Sequence, residues 1–197
     1  MNTNTRSVLR KQLRAARRAL SPVQQRTAGK LLARQVRNWL PLISKKHIAF
    51  YWPNDGEIDP RPLMHCLEKQ GKCCYLPRLY ADGRHQVWFK RYRTGDRLYN
   101  NRFGIPEPAI TQPHIPAWAL QVVLMPLVGF DQVGNRLGMG GGFYDRSFAF
   151  KQRTNSYRPQ LIGLAHSIQQ VDSLSVQDWD VPVGAIATES RIFQFTK

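Results

Sequence analysis

The sequence predicts an α/β domain with a mostly parallel central sheet. Three observations lead there. Apolar runs of strand length alternate with longer segments of helical periodicity. The run VVLMPLV at 122–128 is continuously apolar, as a strand covered on both faces must be. Turn and helix-start residues fall between these segments rather than inside them.

The elements follow in order. In residues 7–20, Leu9, Leu13, Ala16 and Leu20 form one apolar stripe, while Arg6, Arg10, Arg14 and Arg17 recur with the same spacing on another face. Ser21-Pro22 starts a second helix, with Ser21 as N-cap, which runs to about Leu40 where Pro41 stops it. HIAFYW, 47–52, is a buried strand closed by Pro53-Asn54-Asp55-Gly56. Asp59-Pro60 opens a helix reaching about Gln70, with Gly71 past its end. KCCYLP and QVWFKRY (86–92) are the next strands, and 94–118, rich in Pro, Gly and Asn, is a long loop. A helix covers 142–152, and LIGLAH (161–166) and AIATES (185–190) are short strands. There is no internal repeat, low-complexity segment or second domain. One domain is expected over 1–197, with the basic helical segment of about 7–40 packed on it. Ligands of such sheets sit at the carboxyl ends of the strands. That singles out the turns Asn54–Asp59 and Asp131–Asp145, and the one around His166.

The charge is unevenly placed. The chain carries a net charge of +16, and twelve Lys and Arg but no acid precede Asp55. Such a start admits a nucleic-acid arm, a transit peptide, or a helix that binds an acidic small ligand. No apolar core follows the early charges, which argues against a secretory signal, and no run has the roughly 20 residues of a membrane span. Cys66, Cys73 and Cys74 fit neither a disulfide framework nor a zinc pattern and are expected as small buried residues in a reducing compartment.

The most unusual stretch is RLGMGGGFYDR, 136–146. Gly138, Gly140, Gly141 and Gly142 remove side chains where the chain leaves a strand and opens a helix. Successive backbone N–H groups can then face one anion, or the chain can simply turn sharply. The stretch is neither a P-loop, which needs a lysine and a hydroxyl, nor the dinucleotide fingerprint, whose third glycine falls on Phe143. Arg136 and Arg146 are suited to clamping phosphate oxygens, or are surface arginines. Asp145 is suited to Mg²⁺, or is a first-turn carboxylate favoured by the helix dipole.

This stretch, with LMPLVGFD (124–131) before it, resembles the signature of the 5-formyltetrahydrofolate cyclo-ligases. RSVLRKQLRAARRALS, YWPNDGEID and WDVPVGAIATES resemble three further segments of that family, in its order, from about Arg6 to Glu189. The resemblance implies a three-layer α/β/α fold and an ATP- and Mg²⁺-dependent closure of 5-formyltetrahydrofolate to 5,10-methenyltetrahydrofolate, releasing ADP and phosphate. It implies Arg136 and Asp145 as catalytic. It implies ATP contacts from Arg6, Arg10, Arg136, Leu137, Gly138, Met139, Gly140, Gly141, Gly142, Phe143 and Tyr144. The folate would meet Trp52, Glu57, Met139, Gly140, Gly141, Gly142 and Phe143, and Mg²⁺ would meet Asp145 and Asp180. Four positions depart from the family pattern: Arg6 stands where Lys is frequent, Pro60 in place of Thr, Trp179 in place of His, and Gly184 in place of a second carboxyl-terminal aspartate. The expected partners are a reduced folate, whose acidic tail suits the basic face, and ATP. Neither a membrane nor a specific nucleic acid is expected, and the expected location is the cytoplasm.

Overall fold

A computed structural model describes residues 3–154 and 158–195. The termini of the expected 1–197 domain lie outside the described residues. An eight-stranded sheet, ordered β12-β11-β10-β7-β1-β2-β3-β6, forms the centre. Its middle strands are β1 (His47–Ala49), β2 (Cys73–Leu79), β7 (Val122–Pro126), β10 (Gln160–Leu164) and β11 (Ala185–Ala187), and they run parallel. Antiparallel strands close both edges: β12 (Ile192–Gln194) on one side, β3 (Val87–Arg91) and β6 (His114–Ile115) on the other.

Alternation along the strands makes two cores. Ile48, Cys74, Val122, Leu124, Ile162 and Ala185 face Leu32, Val36, Leu63 and Leu67 of α2 (Pro22–Val36) and α4 (Arg61–Lys69). Ala49, Tyr75, Val123, Met125 and Ile186 face Phe148 and Phe150 from α5 (Phe143–Phe148) and α6 (Phe150–Thr154). Helices on both faces of the sheet make the predicted three-layer α/β/α architecture. β7, the continuously apolar run, lies between β10 and β1 at the heart of the sheet.

α1 (Thr3–Arg18) ends two residues before its predicted end. α2 begins with the predicted cap: Ser21 Oγ accepts from the Gln24 N–H, and the Gln24 side chain accepts from the Ser21 N–H. α2 ends at Val36, and Pro41, expected as a stop, instead sits in the first turn of α3 (Leu40–Ile43), where its missing N–H costs nothing. α4 departs from the expected start: Pro60, not Asp59, is its N-cap and carries no side-chain cap, while Asp59 Oδ1, one residue earlier, accepts from the Arg61 N–H.

Three expectations need correction. The long loop 94–118 contains a hairpin of β4 (Leu98–Asn100) and β5 (Pro106–Pro108), the edge strand β6 and a one-turn 3-10 helix at Ala117–Ala119. Prolines at 106 and 108 disguise β5, but an outer strand tolerates them because its outward positions need no N–H. The helix at 142–152 is two short helices, with Ala149 between them. A second small hairpin, β8 (Gly129–Phe130) with β9 (Arg136–Leu137), leads into the glycine stretch. Two-residue strands carry no periodicity to read.

Candidate functional site

The carboxyl ends of β1, β7 and β10 carry the turns 54–59, 127–131 and 165–169, and α1 lies across them. Its Leu9 and Leu13 pack with Val128, Leu137 and Leu174. That seating turns the adjoining stripe of arginines into the protein as well. Arg6 Nη1 donates to Ser175 O at 2.8 Å and pairs with Asp180 at 3.2 Å. Arg10 Nε donates to the Gly138 carbonyl at 2.8 Å. Arg14 pairs with Asp55 at 2.7 Å. Arg17 is fully buried and donates to the Asp55 carbonyl at 2.8 Å, to Leu127 O at 3.1 Å and to Asp55 Oδ2 at 2.8 Å. Each of these four arginines thus has an acceptor within the protein, which a free nucleic-acid arm would lack.

Asp55 takes Arg14, Arg17 and Arg18 at once. Partial burial pushes its carboxyl up, but the three guanidiniums win and hold it at about 2. Arg10 is shifted the other way: burial, then the neighbouring Arg6 and Arg14, lower its guanidinium's pKa. The arginine cluster carries a surplus of positive charge beside the Gly138 carbonyl, the right field for an anion.

The glycine stretch leaves β9 with Arg136 buried. Its Nε donates to Val181 O at 3.0 Å and its Nη2 pairs closely with Asp145. Asp131, also buried, anchors the hairpin below by accepting from the Val133, Asn135 and Leu174 N–H groups. Gly140 has φ +94 and Gly142 φ +65, backbone that L side chains rarely adopt. At Gly140 a Cβ would have ordinary room, 3.6 Å from the Arg10 guanidinium, so the conformation alone demands glycine. Gly140→Ala is expected to cost about 1–3 kcal/mol of stability. Urea unfolding measures it, and an unchanged midpoint would mean that the loop relaxes freely.

Asp145 lies in the first turn of α5, as expected, but a six-residue helix has little dipole to favour it. Arg136 and the Val181 N–H, 3.2 Å from Oδ1, hold it instead. Asp180 is the residue before Val181, whose N–H donates to Asp145, so the two predicted metal ligands lie at one corner, Asp180 paired with Arg6 and Asp145 with Arg136. Among the described residues no three His, Cys, Asp or Glu side chains assemble a metal site. Mg²⁺ commonly takes one or two carboxylates and completes its shell with phosphate oxygens and water, so this donor pair fits it. Hydrogen bonds among the described residues engage Oδ1 of Asp145 and Oδ2 of Asp180. Gly184, where the family pattern has an acid, is tied into the sheet: its N–H donates to Leu161 O, and its carbonyl accepts from Phe195.

Glu57 sits on the other side of Arg17. Its side chain is 10% exposed, Oε2 accepts from the Asn54 N–H at 3.0 Å, and Oε1 stands 3.8 Å from Arg17 Nη2. Burial pushes the carboxyl up to about 7, against the pull of Arg17. Tyr51 and Tyr144 flank it, and burial followed by the Glu57 charge raises the pKa of both phenols. Arg17 Nη2 also reaches Met139 Sδ at 3.8 Å, which joins Glu57 to the glycine stretch. Trp52 is placed differently. It packs edge-on against Tyr92 at 5.9 Å, beneath the Arg61 guanidinium at 5.1 Å, and walls a cavity of 310 Å³ with Met64, His65 and Thr94. No described contact links Trp52 to Glu57 or to the glycine stretch.

Sequence reasoning missed three neighbours of this site. His85 stacks on Phe143 at 5.1 Å, and its Nδ1 lies 3.0 Å from the Gly141 carbonyl. Phe103, 54% exposed, meets Phe143 edge-on at 6.0 Å. Both come from segments read only as loop. Arg17 was visible as a member of the basic stripe, but nothing in its spacing marked it as the buried one.

The model of the 5-formyltetrahydrofolate cyclo-ligase family matches residues 2–189. The chain belongs to this family. It is 38% identical over 184 residues to the 5-formyltetrahydrofolate cyclo-ligase of Escherichia coli K12, which covers 93% of this chain and 100% of the relative. With the Haemophilus influenzae 5-formyltetrahydrofolate cyclo-ligase the identity is 40%, over 93% of this chain and 97% of the relative. The solution structure of Aquifex aeolicus 5,10-methenyltetrahydrofolate synthetase superposes with a TM-score of 0.82 at 27% identity, covering 98% of this chain and 93% of that one. As a member of the cyclo-ligase family, the chain is an enzyme. No helix among the described residues is long and apolar enough to cross a membrane.

Proposed function

We propose that this cyclo-ligase converts 5-formyltetrahydrofolate to 5,10-methenyltetrahydrofolate with consumption of ATP and Mg²⁺. The observation that carries the reading is the convergence of Arg6, Arg10 and Arg136 with the glycine stretch and the Asp145–Asp180 pair at one corner of the sheet. That corner suits a polyphosphate, and Glu57 faces it from across Arg17.

A formamide oxygen is a poor leaving group, and phosphorylation cures this. The formyl oxygen attacks the terminal phosphorus of ATP and ADP leaves. N10 of the folate then attacks the activated formyl carbon, the C–O bond to phosphate breaks, and N10 loses its proton. The chain supplies position and charge. Arg6, Arg10 and Arg136 provide guanidinium donors for phosphate oxygens, and Gly138–Gly142 let backbone approach them. Asp145 and Asp180 would hold Mg²⁺, which when bound neutralises phosphate charge. Glu57 accepts paired N–H donors of the pterin, and Met139 and Phe143 offer apolar surface to the ring. N10 is already a nucleophile, so no dedicated base is required.

The reading extends to one domain over 1–197 working in the cytoplasm, where the free Cys66, Cys73 and Cys74 stay reduced. Incubation of the protein with 5-formyltetrahydrofolate and Mg-ATP should produce the methenyl product and ADP in equal amounts. Methenyl product without ADP, or no product from folded protein, would contradict it.

A further inference from the structure

We propose that Arg17 is a positioning residue of the folate site, holding Glu57 in register with the glycine stretch and favouring its carboxylate form. The inference rests on the function proposed above, because it takes Glu57 as the group that meets the pterin.

Arg17 is the largest fully buried side chain among the described residues. A buried guanidinium is tolerated only where its donors are met and its charge is balanced. Its fork reaches three segments far apart in sequence: Asp55 in the turn after β1, Leu127 after β7, and Met139 in the glycine stretch. Without Glu57 the charges beside it are far from balanced. Arg14, Arg17 and Arg18 all converge on Asp55, which leaves two positive charges over. Glu57 is the next carboxylate, and it faces Arg14 and Arg17 from α1, Asp55 from its own turn, and the phenols of Tyr51 and Tyr144.

The distance matters as much as the charge. At 3.8 Å, Arg17 Nη2 attracts Glu57 Oε1 without occupying it as a hydrogen-bond donor. Oε2 is held by Asn54. One oxygen is therefore fixed, and the other, drawn toward Arg17, has no hydrogen-bond donor among the described residues and is left to a ligand's N–H. The same guanidinium touches Met139 Sδ, so a displacement of Glu57 is felt in the glycine stretch. Lysine has the charge but is a point donor, and it cannot span the Asp55 and Leu127 carbonyls together.

The test compares wild type with Arg17→Met and Arg17→Lys, measuring KM for 5-formyltetrahydrofolate and for ATP across about pH 5.5 to 9. In Arg17→Met the folate KM at neutral pH should rise about tenfold, and the pH below which folate binding weakens should move up by about one unit. The KM for ATP should rise by a clearly smaller factor than the KM for the folate. Arg17→Lys should restore most of the pH dependence but only part of the KM. Glu57→Gln combined with Arg17→Met should show no further loss of folate binding beyond Glu57→Gln alone. An unchanged pH dependence in folded Arg17→Met, or additive losses in the double variant, would overturn the proposal. If Arg17→Met does not fold, carbon NMR titration of the Glu57 carboxyl decides between wild type and Arg17→Gln, which removes the charge but keeps a polar donor: an upward move supports the proposal and an unmoved carboxyl rejects it. The same titration judges Arg17 if wild type forms no methenyl product, an outcome that removes the proposed function separately.

Discussion

Asp145→Asn is expected to lower kcat/KM for Mg-ATP by about a hundredfold, the scale seen when one charged group is taken from a polyphosphate site. The substitution keeps the shape of the side chain, and an amide oxygen can still accept from the Val181 N–H, 3.2 Å away in the native protein. The lost charge acts in two places. It removes one of two carboxylates proposed to hold Mg²⁺, and it frees Arg136, 5% exposed, from its counter-charge. The Mg²⁺ concentration needed for half-maximal rate should therefore rise, and extra Mg²⁺ should recover part of the activity. Unfolding in urea should report a loss of about 1.5–3 kcal/mol, because the amide oxygen still accepts from Val181 and Arg136 but no longer balances the buried guanidinium's charge. A variant that loses activity only in proportion to its unfolded fraction would reduce Asp145 to a structural partner of Arg136.

Glu57→Gln is expected to raise the folate KM by about tenfold to a hundredfold, with a smaller effect on kcat. A hydrogen bond to a charged group is worth about 1.5–3 kcal/mol, and the neutral amide keeps one acceptor but presents a donor where the second stood. An unchanged KM would remove Glu57 from the folate site. The pH dependence has a definite sign. The folded carboxyl sits at about 7 against an ordinary 4.5, so the folded state binds the proton more tightly than the unfolded state does. This group's contribution to stability is complete below about pH 4.5 and is lost as pH rises through 7. Folate binding needs the charged form and so should strengthen over the upper part of the same window. Glu57→Gln should abolish both trends, which are followed by urea midpoints and by KM against pH.

Much of the fold was legible because its signals are local. Ser21 and Gln24 form their reciprocal cap within one turn, and the apolar run at 122–128 needs no knowledge of its neighbours to read as a central strand. The hairpin of β4 and β5 was hidden because three-residue strands bearing prolines make sense only beside each other. The break at Ala149 was hidden because residues 142–152 bear a continuous helical composition, and only packing of Phe148 and Phe150 on the sheet divides it. The same distinction runs through the site. Glycines, an aspartate and flanking arginines drew attention to 136–146, yet Asp145 owes its position to Arg136 and the Val181 N–H rather than to the helix in which it lies.

By itself the sequence determined the α/β class, the central strand, the basic stripe of α1 and the family whose motifs it carries, since each depends on residues close together in the chain or on their order. Only the tertiary structure decided which arginine is buried, that three of them share Asp55, that Trp52 walls a cavity with Met64, His65 and Thr94, and that His85 and Phe103 stand against Phe143. Those outcomes turn on which distant segments meet at the strand ends. Burial and charge balance there depend on every neighbour at once, and no spacing along the chain records them.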